Sequence, residues 1–320
     1  MRTTMLACVA ICGCTPQTDE PIESPDLSIL AVATQNAGTT PFLDGFGESP
    51  MRDNCDVYYC NDLCSVDAES VLAQAITDRQ PDILMLEEVW DQRRCSDADR
   101  PTEVNEAPYA CSAGDDHQLS RILAEDYYYA CSDGIRETQT CVTFRSSVFS
   151  PLKSDGSEGD CDGRNCSQML VDLPADCEEE GTMAYLRGKT AAGQATTLMV
   201  MHLYTDFASG TQECRASQLQ AAHEALLTLP EDEMLLIAGD FNLDPDQWEG
   251  PDIDALQKMV DEVGLVRLPT EGPSHMILDI TIDLVFHRGW ALASSVTCET
   301  VFLDEDAQVP MIDHAMIDCQ

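Results

Sequence analysis

The chain has 320 residues and carries 58 Asp and Glu against 17 Lys and Arg, a formal net charge of −41. Strand and helix patterns run through it without a long Pro/Gly/Ser linker, which favours one large α/β domain over two. Such an acidic surface repels polyanions, and the sequence shows no basic stripe. Nucleic acid is therefore not favoured as a partner. Solubility in a salty medium explains the acidity equally well, and there the screened charges would say little about the substrate.

The N-terminus has the features of an export signal. Arg2 precedes a short apolar stretch, Met5 to Ile11, which is too short to span a bilayer. Ile11 to Cys14 resembles a bacterial lipobox that would be cleaved after Gly13 and lipidated on Cys14, although Leu is usual at the Ile11 position. We predict an export signal of lipoprotein type at 1–13, a flexible acidic tether at 14–26 and a folded domain at 27–320. The protein would be an outer-membrane lipoprotein or, without lipidation, secreted or periplasmic.

Four helices are predicted from apolar residues that recur at helical spacing. The first is stopped by Pro81, and the last is closed by Gly264 in a C-cap position. A short helix follows a capping arrangement at Asp115 to Gln118. The three longer helices are predicted at residues 67–80, 211–229 and 251–263.

Six apolar segments of strand character each carry one or two of Asn, Asp, Glu or His at or near an end. A single polar residue at a strand end is usually solvated, but six of these types together indicate one site at the edge of a sheet. Asp240 and Asn242 are two residues apart, and alternation along a strand lets both face one cleft. A carboxylate beside an amide suits a hard cation and an anionic oxygen. The polar residues are Asn36, Glu87 and Glu88, His202, Asp240 and Asn242, Asp283, and Asp313 and His314.

In this order, these residues resemble the pattern of the endonuclease/exonuclease/phosphatase superfamily, the group of deoxyribonuclease I and the bacterial sphingomyelinases. The family has an early Asn, then Gln-Glu-Val, a His after a central strand, Gly-Asp-Phe-Asn, Ile-Asp-Tyr and a final Ser-Asp-His. The resemblance covers about residues 27–319, so that 27–320 would be the catalytic domain. It implies a deoxyribonuclease I-like fold, a four-layer α/β/β/α sandwich with two central mixed β-sheets. The matching positions are Asn36, Glu87-Glu88-Val89, His202, Gly239-Asp240-Phe241-Asn242, Ile282-Asp283-Leu284 and Ile312-Asp313-His314.

The resemblance also implies a divalent cation. Glu88 is the predicted metal ligand, with Asn36 and Asp313 in or beside the coordination shell, because all three offer the oxygen donors that hard cations prefer. Mg2+ is expected, with Ca2+ or Mn2+ as alternatives. Glu87 stands where the family has Gln. Strand alternation points it away from Glu88, which predicts a place behind the site or on the surface.

Five residues are predicted to carry the chemistry of phosphodiester hydrolysis. His314 would be the general base, with Asp283 holding its ring and stabilising the charged form. His202 would hydrogen-bond the phosphate and protonate the leaving group. Asp240 and Asn242 would orient the water and bind the phosphate.

Two further candidates come from a blurred family element, a Glu before a strand that ends in Arg. The strand here is Thr140 to Arg145, and Glu137 is the nearest acid, slightly out of register. Arg145 would contact phosphate or, as is common for a strand-end Arg, lie exposed. The remaining histidines are predicted to lie on the surface; they are His117, His223, His275 and His287.

The chain has 16 cysteines, thirteen of them after Cys14. After an export signal, disulfides are the better interpretation. The spacings Cys55-x4-Cys60-x3-Cys64 and Cys161-x4-Cys166 lack the paired C-x2-C of zinc ribbons, so zinc is the lesser alternative. An odd number leaves one thiol free, unless an unlipidated Cys14 pairs with it.

The sequence thus predicts an exported, monomeric, metal-dependent phosphoesterase that hydrolyses a phosphodiester with activated water. A small-molecule or lipid phosphodiester is slightly favoured as substrate. A secreted endonuclease acting on DNA or RNA is the alternative within the enzyme class. From another class, a catalytically inactive surface binding protein of the same fold remains open.

Overall fold

Two β-sheets packed face to face form the centre of the protein. The predicted export signal and tether lie outside the described residues. The computed structural model describes residues 30–37, 66–90, 103–104, 107–108, 117–132, 138–153, 156–159, 161–167, 169–171, 177, 182–204, 211–275, 279–290, 296–303 and 314–319.

The secondary structure follows the predicted alternation of strands and helices. The helices are α1 (Val66–Arg79), α2 (Gln118–Ile122), α3 (Thr211–Leu227) and α4 (Pro251–Val263). The strands are β1 (Val32–Asn36), β2 (Ile83–Trp90), β3 (Glu103–Val104), β4 (Ala107–Pro108), β5 (Tyr127–Cys131), β6 (Thr138–Arg145), β7 (Phe149–Pro151), β8 (Cys161–Asp162), β9 (Asn165–Cys166), β10 (Met169–Leu170), β11 (Thr182–Thr190), β12 (Ala195–His202), β13 (Met234–Asp240), β14 (Val266–Arg267), β15 (Thr270–Glu271), β16 (Asp283–Arg288), β17 (Cys298–Val301) and β18 (Met316–Cys319).

Both large sheets are mixed. The nine-stranded sheet has the order β15-β17-β18-β1-β2-β6-β5-β9-β8, and the seven-stranded sheet has the order β10-β11-β12-β13-β16-β14, with β7 beside β11. The pairs β1–β2 and β12–β13 are parallel, whereas β18, β6 and β16 run antiparallel to their neighbours. Strands β3 and β4 form a separate two-stranded sheet.

Three apolar clusters define four layers. The first lies between the sheets and includes Met85 of β2 and Leu236 of β13. The second packs α1 and α2 on the outer face of the larger sheet, and the third packs α3 and α4 on that of the smaller. Because the central strands are covered on both faces, they read as continuous apolar runs. The predicted four-layer α/β/β/α sandwich with two mixed sheets is confirmed.

The helix ends follow local sequence signals. Helix α4 ends at Gly264, which adopts φ +74° and donates its N–H to the Val260 carbonyl, as predicted for a C-cap. At α2 the capping role falls on His117, whose Nδ1 accepts from the Leu119 N–H at 3.2 Å. No helix in the described part of the chain is long and apolar enough to cross a membrane.

Four disulfides join cysteines within the described residues. The pairs are Cys131–Cys141, Cys161–Cys166, Cys177–Cys214 and Cys298–Cys319. Three of them link residues directly opposite each other on paired strands, and the remaining one, Cys177–Cys214, ties residue 177 to α3. The disulfide prediction is therefore confirmed for these eight cysteines, and the zinc alternative is excluded for Cys161 and Cys166. Cys55, Cys60, Cys64, Cys95 and Cys111 lie outside the described residues.

Three of the histidines predicted to lie on the surface are buried instead. His223 is on the inner face of α3, where its Nε2 lies 3.2 Å from Glu262 of α4. His275 forms isolated backbone bridges to Ile280, which precedes β16, and to His314, which precedes β18. His287 lies two residues after Val285 along β16, so the two side chains share the face that points between the sheets. Only His117 is partly exposed among the four.

Burial of His287 makes folding sensitive to acid. Neither ring nitrogen has a hydrogen-bond partner among the described residues. Loss of hydration lowers the pKa of the imidazole from its ordinary 6.5. The unfolded chain therefore takes up the proton first, and stability is lost as the pH falls from 6.5 through the lower folded pKa.

We expect His287→Leu to stabilise the protein, and to do so more at acid pH. The gain should be about 1 kcal/mol or more near pH ~5 and smaller near pH ~8, because leucine carries no polar group and no proton. Denaturant unfolding of both proteins at the two pH values measures it. An equal gain at both would contradict the assignment of the acid sensitivity to His287.

Candidate active site

The carboxyl ends of the parallel pairs β1–β2 and β12–β13 meet at one edge of the sandwich. Strand β16 begins at this edge, where Asp283 pairs with Asp240, and β18 begins there just after His314. Because antiparallel neighbours start where parallel strands end, side chains from both sheets converge. We call this the active-site edge. Seven of the ten sequence-predicted site residues lie there: Asn36, Glu88, His202, Asp240, Asn242, Asp283 and His314.

Asn36 joins the two sheets across the active-site edge. Its side-chain amide donates to Glu88 Oε1 at 3.2 Å and to Asp240 Oδ2 at 3.1 Å. The amide also carries an oxygen, the type of ligand atom that hard cations prefer. Asn36 and Glu88 were predicted as metal ligands, and their side chains are hydrogen-bonded to each other.

Glu88 reaches the site through an irregularity in β2. It has φ +54°, and the pairing of β2 with β6 slips between Leu86 and Val89. A bulge of this kind re-aims a side chain that alternation would send to the other face. Glu87 keeps the direction of Met85 and points between the sheets.

Glu87 is fully buried, which excludes the surface position weighed for it. Its Oε1 accepts from the Thr34 hydroxyl at 3.1 Å. Gly239 makes room for it: the glycine has φ +140°, and a Cβ there would lie 2.8 Å from Glu87 Oε1 and 2.0 Å from the Met201 carbonyl oxygen. The glycine before Asp240 is therefore required by backbone conformation and by space.

His314 and Asp283 form a buried pair. The distance from His314 Nδ1 to Asp283 Oδ2 is 2.9 Å. A carboxylate at Nδ1 fixes the tautomer and leaves Nε2 to exchange protons. Nε2 lies 3.8 Å from Asp240 Oδ2. This is the arrangement predicted for a general base and the group that orients it.

His202, Asp240 and Asn242 complete the cluster. His202 Nε2 lies 3.7 Å from Glu88 Oε1 and 3.8 Å from Asp240 Oδ2. Asp240 Oδ1 accepts from the Asn242 N–H at 2.8 Å. Asn242 lies beyond the end of β13 with φ +48°, and its side chain donates to the Leu203 carbonyl at 3.0 Å. A turn, rather than strand alternation, therefore sets its position.

The buried carboxyls repel one another. Burial and repulsion from Asp283 raise the pKa of Asp240 to about 6, against the opposing attraction of His314. Burial and repulsion from Asp283 and Asp240 raise the pKa of Glu87 well above 4.5. Ligand atoms of Asp240, Asp283 and His314 lie within 4.8 Å of one another. Carboxylate, amide and imidazole donors under such repulsion fit a divalent cation, which would offset the negative charge.

Arg145 lies at the wrong end of the sheet for the predicted phosphate contact. Its N–H bonds to the Asp82 carbonyl, beside the start of β2, because β6 runs antiparallel to β2. Six residue steps along the strand, about 20 Å, separate Asp82 from Glu88. Arg145 instead pairs with Asp126 at 3.6 Å. Glu137 and Asp313 lie outside the described residues.

Three residues beside the His314–Asp283 pair were missed from the sequence. Gln35 and Ser274 bond to the backbone around the pair, and the His275 ring packs edge-on against the His314 ring with centroids 4.9 Å apart. Gln35 could have been found by its place next to Asn36. No periodicity or spacing signal distinguishes Ser274 and His275 from other loop residues.

Known structures share this architecture at low sequence identity. The Bacteroides thetaiotaomicron mannosyl-6-phosphatase has a TM-score of 0.55 at 14% identity, covering 91% of this chain and 98% of its own. The human Nocturnin catalytic domain with bound sulfate has a TM-score of 0.54 at 13% identity, with 91% and 93% covered. D. rerio TDP2 complexed with a single-strand DNA product has a TM-score of 0.52 at 14% identity, with 91% and 97% covered.

Sequence comparison gives the family. No curated protein matches this sequence significantly. The model of the Endonuclease/Exonuclease/phosphatase family matches residues 57–302, which is most of the chain. The protein therefore belongs to the endonuclease/exonuclease/phosphatase family, whose members are hydrolases that act on phosphoesters.

Proposed function

We propose that the protein is an exported, metal-dependent phosphodiesterase that hydrolyses its substrate with activated water. One observation carries the proposal: Asp240 links two groups with complementary chemistry. Its Oδ2 lies 3.1 Å from the amide of Asn36, beside Glu88, and 3.8 Å from His314 Nε2. In the proposed roles, cation ligands would lie on one side of this carboxylate and a proton acceptor on the other, so that a bound phosphate would contact both.

The cation would be held by Glu88 and Asn36, with Asp313 beside them. Mg2+ is the expected ion, and Ca2+ or Mn2+ would suit the same oxygen donors. When bound, it supplies positive charge that neutralises the phosphate and favours attack by water.

The protein's own residues move the protons. His314 Nε2 accepts a proton from the attacking water, and Asp283 stabilises the imidazolium that forms. Asp240 and Asn242 orient the water and the phosphate. The bond from phosphorus to the leaving oxygen breaks, and His202 in its charged form donates the proton that this oxygen takes up.

The distribution of arginine supports a small-molecule or lipid phosphodiester over nucleic acid. Each of the eight arginines in the described part of the chain is paired with a carboxylate or hydrogen-bonded to backbone carbonyls. These side chains therefore do not form a basic groove for a polyanion. With a net charge of −41, the phosphate-binding charge would come mostly from the cation.

Export and membrane attachment belong to the same proposal. The four disulfides fit an oxidising compartment. A lipid on Cys14 would hold a monomeric enzyme at a membrane surface, on the tether of residues 14–26. Mass spectrometry of the protein from bacterial membranes would detect the lipidated cysteine.

Hydrolysis of bis(p-nitrophenyl) phosphate tests the proposed reaction. We expect the mature protein to release p-nitrophenol with Mg2+, Ca2+ or Mn2+, and we expect this release to stop when EDTA is added. The phosphomonoester p-nitrophenyl phosphate is the matched control and should react more slowly. Sphingomyelin, plasmid DNA and RNA then separate lipid from nucleic-acid substrates. If all of these remain intact with every metal, the binding-protein alternative replaces the enzyme.

A further inference from the structure

Ser274 lies where the two sheets meet at the active-site edge. It is fully buried, and its hydroxyl oxygen accepts from the N–H groups of Ile282 and Asp283 at 3.0 and 2.9 Å. Its own carbonyl accepts from the Ala315 N–H at 2.7 Å. One residue therefore holds the backbone on both sides of the His314–Asp283 pair.

The two members of this pair come from different sheets. Asp283 begins β16 of the smaller sheet, whereas His314 precedes β18 of the larger. Pairing within either sheet cannot by itself set the distance between them. The bonds from Ser274 span that gap directly, next to the 2.9 Å contact between His314 Nδ1 and Asp283 Oδ2.

Other contacts limit the freedom of His314 once Ser274 is in place. The Gln35 side chain donates to the His314 carbonyl at 3.1 Å. The peptide that follows His314 is thus held at its oxygen by Gln35 and at its N–H by Ser274. Backbone bridging to His275 fixes the strand direction at the same point.

We propose that Ser274 is a positioning residue that sets the geometry of the His314–Asp283 pair. The inference rests on the proposed function, in which that pair activates water. A hydroxyl is needed because it has two acceptor lone pairs for the two consecutive N–H groups. Alanine would leave both groups without their acceptor and free the start of β16 to move.

The expected effect is on turnover more than on binding. A displacement of about 1 Å in a catalytic group can cost roughly 10²-fold in rate, so Ser274→Ala should lower kcat by about 10- to 100-fold. The KM for bis(p-nitrophenyl) phosphate should change by less than about threefold, since Ser274 does not touch substrate. Ser274→Thr keeps the hydroxyl and should restore most of the rate.

Nuclear magnetic resonance can detect the hydrogen bond between His314 and Asp283 without an activity measurement. The Nδ1–H proton of His314, assigned by its loss in His314→Gln, should resonate far downfield in the metal-free wild type. We expect this signal to move upfield or broaden in Ser274→Ala and to return in Ser274→Thr. Thr143→Val is the matched control, because it removes another buried hydroxyl that lies away from the site. The Thr143 hydroxyl donates to the Leu84 carbonyl with a donor–acceptor distance of 2.8 Å. This substitution should leave both signal and kcat unchanged.

The outcomes separate this inference from the proposed function. If Ser274→Ala leaves the His314 signal unchanged, Ser274 does not position the pair, whatever happens to kcat. If the wild type hydrolyses nothing, the proposed function fails, and the signal still decides the role of Ser274. Should Ser274→Ala not fold, hydrogen exchange of the wild type decides. The N–H groups of Ile282, Asp283 and Ala315 should be strongly protected, and rapid exchange would overturn the inference.

Discussion

His314→Gln is expected to lower kcat for phosphodiester hydrolysis by roughly 10²- to 10⁴-fold, the usual contribution of a positioned general base. Asp283 holds Nδ1 at 2.9 Å, which leaves Nε2 as the proton acceptor at the active-site edge. Glutamine preserves polarity and approximate size but cannot take up a proton at neutral pH. Steady-state kinetics with Mg2+ measures the loss, and circular dichroism verifies the fold.

His223→Gln is the matched control for this prediction. His223 is also buried, but its Nε2 contacts Glu262 between α3 and α4, away from the active-site edge. The His223→Gln variant should keep the wild-type kcat even if the substitution lowers the melting temperature. If His314→Gln retained more than about a tenth of the wild-type kcat, His314 would not be the base.

Strand endings made much of the site predictable. The apolar runs that end in Asn36, His202 and Asp240 identify buried strands, and the carboxyl ends of parallel strands share an edge. The ordered motifs of the family then added Asp283 and His314, which lie on antiparallel neighbours. The strand and helix patterns alone indicated an α/β domain, and the resemblance to the family supplied the four-layer arrangement.

Local backbone exceptions were not predictable. Strand alternation was used to point Glu87 away from Glu88, and it missed the bulge that turns Glu88 into the site. Asn242 was assigned by alternation, although a left-handed turn places it. Arg145 was matched by motif order, but the antiparallel course of β6 carries it to the opposite end of the sheet.

The predicted exposure of two histidines was wrong. His223 was assigned to the surface of a predicted helix, and His287 was placed in or beside a loop because the predicted strand ended at Phe286. Both are buried, since His223 lies on the inner face of α3 and β16 continues to Arg288. Their positions in α3 and β16 would have indicated burial if the periodicity of the neighbouring apolar residues had been extended to them. Ser274 could not have been found in this way, because it acts through contacts that join distant parts of the chain.

Glu88→Gln is expected to remove metal-dependent hydrolysis almost completely. The change is isosteric, but it deletes the negative charge that would bind the cation next to Asn36. Altering even the partners of a metal ligand commonly costs 10- to 100-fold in metal affinity or activity, so loss of the ligand itself should cost more than about 100-fold in kcat/KM. The stabilisation by metal should disappear as well. In the wild type, a cation present at about 100 times its Kd would add about 2.7 kcal/mol to the free energy of unfolding.

Glu87→Gln makes the same chemical change one residue earlier and should have the opposite outcome. Glutamine is the residue of the family pattern at this position, so metal-dependent hydrolysis should survive. Since burial and the nearby carboxylates raise the pKa of Glu87 well above 4.5, its contribution to stability is lost as the pH rises through that higher value. The metal-free variant should therefore be more stable than the wild type at neutral pH. Melting curves of both variants with EDTA and with Mg2+ test the pair, and loss of metal stabilisation in Glu87→Gln but not in Glu88→Gln would reverse the assignment of the ligand.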